Sequence, residues 1–125
     1  MNAKDFLLQY KLIDIEINEK LEEQTRLRNL AAIASPEIGV TVHRIGELEK
    51  EINNDIDKLL NVKATIMNAI SNMDDEILRL ILIMRYINLH KWEYIAEKLN
   101  VDMRWLYRLH NKAISKLKGA FIDEK

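Results

Sequence analysis

The chain has 125 residues, with 19 lysines and arginines against 20 aspartates and glutamates, for a formal net charge of −1. That length accommodates one domain, or one small domain with an extension. The absence of cysteine excludes disulfides and thiolate metal sites, and a reducing, cytoplasmic setting is expected. One proline and three glycines leave little room for strands, so an all-α chain is expected. The opening MNAKDFLLQYKLIDIEINEK carries acids throughout and lacks the basic-then-apolar layout of a signal peptide. The apolar run from Ile77 to Met84 is broken by Arg79 and too short to span a bilayer, so no membrane partner is expected.

Two long amphipathic segments come first. From about Lys4 to Ala34, the residues Phe6, Tyr10, Ile13, Ile17, Leu27 and Ala31 mark a roughly heptad stripe, interrupted midway by Lys20 and Gln24. Ser35-Pro36 should end this helix, because the residue before proline avoids the helical region. The stretch Ser35 to His43, with Gly39 inside it, reads as the flexible connection. From about Arg44 to Ser71, a second stripe runs through Ile45, Leu48, Ile52, Ile56, Leu59, Ile66 and Ile70. Two such helices joined by a short loop should fold back as an antiparallel, coiled-coil-like hairpin over residues 1–72. Each stripe is narrow, which favours self-association, a dimer above all, over an intramolecular brace.

Residues 73–125 read as a second part. Ser71-Asn72 offers an N-cap, and Asp74, Asp75 and Glu76 place acids in the first turn of a helix to Ile87. That helix should bury Ile77, Leu80, Ile81 and Met84 and stop at Asn88. In Trp92–Leu99, Ile95 and Leu99 share a face, and the small Ala96 allows a neighbouring helix close approach. Asn100-Val101-Asp102 breaks the pattern. Asparagine tolerates the left-handed conformation that ends helices, and Asp102 suits the N-cap of the next one. From Met103 to Lys118 the apolar set is Leu106, Leu109, Ala113 and Leu117. Helix, three-residue turn and basic second helix make up a helix-turn-helix, the unit that reads DNA.

Charge agrees with that reading. Between Ile77 and Lys118 nine cations stand against three acids, a local +6 that leaves −7 for the remainder. Such segregation suits a polyanion-binding module on an acidic stalk. Projected at about 100° per residue, Arg104, Arg108, Asn111 and Ser115 oppose the leucines, while Met103, Trp105, Tyr107 and Lys112 flank them. Met103, Arg104, Tyr107 and Arg108 are therefore the candidates for base edges, with Asn111 placed to serve adenine. Lys112, Lys116 and Lys91 suit phosphates. Trp92 and Trp105 read as packing residues, and Met103 equally as a cover for the turn.

No enzyme chemistry is evident. His43, His90 and His110 lack metal-cluster spacing, and His110 at the core edge of the last helix suits satisfied packing rather than ligation. There is no glycine-rich phosphate loop and no nucleophile motif. Neither catalytic residues nor a cofactor is expected.

On the segments LRLILIMRYI, WEYIAEKLNV and LYRLHNKAISKL, the chain resembles the region-four domain of bacterial sigma factors. Over its whole length it is similar to a family of small phage and prophage proteins of Gram-positive bacteria, related to regulators of the ArpU and RinA type. The resemblance implies a phage-encoded transcription regulator acting at a promoter in a bacterial host, through double-stranded DNA and RNA polymerase. Carried over by position, the base-reading places fall on Met103, Arg104, Tyr107 and Arg108. Lys91 and Asp102 stand where sigma domains place a small hydroxyl residue. Two other functions remain open from the residues alone: an adaptor that binds polymerase or a sigma factor through the acidic hairpin, and a DNA-packaging component like a small terminase subunit.

Overall fold

The computed structural model describes residues 2–33 and 38–123. Its elements are α1 (Ala3–Ala32), α2 (Ile38–Ser71), α3 (Glu76–Leu82) continuing as a π-helical turn (Ile83–Ile87), α4 (Trp92–Leu99) and α5 (Met103–Asp123). The fold is all-α, as the composition requires. α2 begins at Ile38, so residues 38–43, Gly39 included, are helical rather than part of a flexible connection. The expected stop at Ser35-Pro36 lies outside the described residues.

The chain groups into two compact units, Met1–Lys11 with Val62–Lys125, and Leu12–Asn61. The α4–turn–α5 segment shares its unit with the first eleven residues and the end of α2.

Within Leu12–Asn61, α1 and α2 run antiparallel, because α1 residues 20, 23 and 24 bond to α2 residues 55, 44 and 45. Ile13, Ile17, Leu48 and Ile52 are buried. Lys20 and Gln24 do not interrupt the stripe; they occupy it. Gln24 is 5% exposed, and its side-chain amide donates to the Ile45 carbonyl at 3.3 Å. The Lys20 ammonium donates to Asp55 at 2.6 Å, and this bond chiefly holds Lys20 above the usual lysine pKa. Asp55 therefore takes the inward place expected of Ile56, which is 38% exposed. Arg44 bonds both Glu23 (3.1 Å) and Glu51 (3.0 Å). Polar residues in a helical seam are satisfied by one register only, which is how they specify pairing.

In the other unit, the Asn2 side chain caps α1 by accepting from the Asp5 amide at 2.8 Å. Ala3, Phe6 and Leu7 from α1 join Ile66, Ile70 and Met73, then Leu78, Leu82, Tyr86 and Ile87, and finally Ala113 and Leu117, in one buried cluster. A second cluster unites Ile81 and Met84 with Ile95, Ala96 and Leu106. α3 accordingly buries Leu78, Ile81 and Leu82, whereas Ile77 and Leu80, expected in the core, are 45% and 39% exposed. Its N-cap is Asp75, which accepts from the Leu78 amide at 3.1 Å, not Ser71-Asn72. Arg79 fastens the corner by donating to the Met73 carbonyl at 2.6 Å.

The expected single helix to Ile87 widens instead into a π turn, in which the Asn88 amide reaches back five residues to Ile83. Leu89 then takes φ 58°, a left-handed conformation that opposes its Cβ, and the His90 amide closes on the Met84 carbonyl at 2.9 Å. The widened turn lets Met84 face one cluster while Tyr86 and Ile87 face the other.

Candidate functional site

α4 and α5 are joined as the residues dictate. Asn100 caps α4 at φ 55°, ψ 49°, and its amide returns to the last turn of the helix. The Asp102 carboxylate accepts from the Trp105 amide at 2.7 Å, satisfying one of the free donors at the start of α5. α5 packs on α3 and α4. Ile95, Ala96 and Leu106 are buried between them, with Leu99, Val101, Met103 and Leu109 closing the margin.

This seating fixes which side of α5 meets solvent. Leu106, His110, Ala113 and Leu117 are buried. Arg104, Arg108, Asn111 and Ser115 are exposed on the opposite side, with Lys112 and Lys116 along one flank and Tyr107 along the other. Among the described residues, no ion pair engages Arg104, Arg108, Lys112 or Lys116. Lys91 is exposed at the N-cap of α4. Met103 is half-buried against the second cluster, whereas the other three base-edge candidates, Arg104, Tyr107 and Arg108, are exposed. Trp105, expected to pack, is 49% exposed beside the cations.

Trp92 does pack. The Arg85 guanidinium lies 4.5 Å from the centre of its ring, and Tyr107 and His110 meet it edge-on at 5.6 and 4.7 Å. His110 is buried, with its Nε2 2.7 Å from the Tyr86 hydroxyl. Burial first, then the positive charges of Lys4 and Arg85, lower its pKa to about 4. The imidazole is therefore neutral at physiological pH, and burial raises the Tyr86 pKa, keeping the phenol protonated.

Beside this pair lies an open cleft of about 460 Å³, between the start of α1, the π turn, α4 and α5. Lys4, Lys11 and Arg85 line it together with Trp92, Tyr107 and Asn111, and its remaining walls come from Leu8, Tyr86, Leu89 and His110. Sequence reasoning missed this grouping, since Lys4 and Lys11 lie more than seventy positions before Arg85. Among the described residues, no cluster of three or more histidines and carboxylates could hold a metal ion, and no helix is long and apolar enough to cross a membrane.

Residues 39–118, which run from the start of α2 into α5, match the family described as a protein of unknown function (DUF1492). The chain belongs to that family. No curated protein matches it. No solved structure matches it either. The DUF1492 segment contains α3, the π turn, the α4–turn–α5 unit and every candidate DNA contact, whereas Lys4 and Lys11 precede it.

Proposed function

We propose that this DUF1492 member is a sequence-specific, double-stranded DNA-binding regulator of transcription, encoded by a phage or prophage and working in the cytoplasm of its bacterial host. One observation carries the reading: Arg104, Arg108 and Asn111 stand on the face of α5 opposite Leu106, Ala113 and Leu117, with neither arginine engaged by an ion pair among the described residues. An unpaired guanidinium can give two parallel hydrogen bonds to guanine, and a side-chain amide can serve adenine. Tyr107 joins these as a reader on the flank, and Met103 covers the turn beside them. Lys112, Lys116 and Lys91 contact phosphate, which orients the protein without reading sequence. A homodimer suits paired half-sites, and the exposed Leu12, Ile15, Leu21, Leu30 and Leu60 of the Leu12–Asn61 unit supply apolar surface for it.

Binding to a duplex selected from a random pool tests the assignment, measured by fluorescence anisotropy. Arg104→Ala and Arg108→Ala should each cost about 1–3 kcal/mol on that site and relax the preference there. Lys112→Ala should weaken all sequences alike and flatten the salt dependence. If both arginine variants bind as tightly as the parent, the readers lie elsewhere. The acidic, apolar-bearing surface of Leu12–Asn61 also supports an adaptor reading, in which this unit docks RNA polymerase or a sigma factor. Absence of any duplex binding at low salt favours that reading, and ring-sized oligomers favour a packaging component.

A further inference from the structure

We propose that the cleft between α1, the π turn, α4 and α5 is a phosphate-binding site, which takes a phosphate ester carrying a planar ring. Three cations line it, Lys4 and Lys11 from α1 and Arg85 from the π turn, and none of its described lining residues is acidic. A concave site with a charge of +3 and no internal counter-ion attracts an anion, and its walls exclude part of the competing water. Arg85 is already oriented. One guanidinium nitrogen donates to the His90 carbonyl at 3.0 Å, and the group lies over the Trp92 ring, so little side-chain freedom remains to be lost on binding. Trp92 and Tyr107 supply aromatic surface, and the Asn111 amide a neutral donor and acceptor.

The size agrees. A volume of about 460 Å³ falls in the range of clefts that hold a nucleotide-sized molecule. At the cleft floor, burial first and then the positive charges of Lys4 and Arg85 lower the His110 pKa to about 4. The same chemistry is offered by a free nucleotide and by a nucleotide of a DNA strand. Tyr107 and Asn111 border both the cleft and the exposed face of α5.

Fluorescence of the full chain tests the site. The two tryptophans are Trp92 and Trp105, so Trp105→Phe, a change at an exposed position, leaves Trp92 as the only reporter. At fixed ionic strength, pyrophosphate and a nucleoside triphosphate should each change Trp92 emission saturably. The double variant Lys4→Gln, Lys11→Gln should weaken both about tenfold while retaining the parent thermal midpoint, since both lysines are exposed. No saturable change, or one indifferent to the double variant, overturns the proposal. A random duplex distinguishes the source of the phosphate. A parallel loss of duplex affinity in the lysine variant assigns the site to the DNA backbone, and unchanged duplex affinity assigns it to a free ligand. Arg104 and Arg108 do not line the cleft, so failure of the base-reading assignment leaves the pyrophosphate result standing.

Discussion

Taken separately, the two units differ in the share of polar contacts in their interiors. Leu12–Asn61 carries eleven carboxylates against six lysines and arginines, a net −5, and its seam includes Gln24, Lys20–Asp55 and Arg44 between Glu23 and Glu51. The remainder carries thirteen cations against nine carboxylates, a net +4, and encloses two apolar clusters whose one buried hydrogen-bonded side-chain pair among the described residues is Tyr86–His110. A polar seam adds modest stability and strong register preference, because a slipped pairing strands its hydrogen-bonding groups. Apolar clusters do the reverse. They supply most of the stability and tolerate repacking, so here they can leave one helix face of the α4–turn–α5 unit free for function.

The largest effect should come from breaking the apolar side of this contrast. Leu106 is fully buried beneath α4, and Leu106→Ala should cost about 2–5 kcal/mol in denaturant unfolding through lost burial and a residual cavity. A loss below about 1 kcal/mol would show that the second cluster is loosely packed.

Next comes the buried pair. His110 has a folded pKa of about 4 against an ordinary 6.5, so the folded chain excludes a proton that the unfolded chain binds. Its contribution is complete above pH 6.5 and is lost as the pH falls toward 4, by up to about 3 kcal/mol. Urea midpoints between pH 7 and 4.5 should therefore fall more steeply in the parent than in His110→Gln. Equal slopes contradict this account of the pair.

The smallest effect belongs to the polar seam. Asp55→Ala removes the nearest partner of Lys20, whose Glu16 and Glu51 contacts at 3.3 and 3.8 Å remain. The expected loss is about 1 kcal/mol or less, and it should shrink further in high salt. A loss as large as that of Leu106→Ala would erase the distinction between the two units.

How much of this was readable in the residues depends on local degeneracy. Ile95, Ala96, Leu106, Ala113 and Leu117 could be placed because they recur at helical spacing among charged and polar residues, and Asn100 and Asp102 because their backbone roles are local. In EILRLILIMRYI, apolar residues occupy nearly every position, so several helical faces fit equally well. Two clusters on different sides and a π turn between them select Leu78, Ile81 and Leu82, and none of these is a local signal. Lys20 and Gln24 read as interruptions because polarity alone was weighed; their partners lie on the facing helix. The cleft was hidden for the same reason, since its cations meet only after the start of α1 packs against the end of the chain.

The central claim is that the outward face of α5 reads base edges. Its most direct test is repeated selection of bound duplexes from a random pool, run in parallel with the parent chain and with Arg104→Ala. The account predicts one enriched motif for the parent and, for the variant, the same motif degenerate at a single guanine-containing position. Recovery of no motif by the parent, or of an identical motif by both proteins, would contradict it.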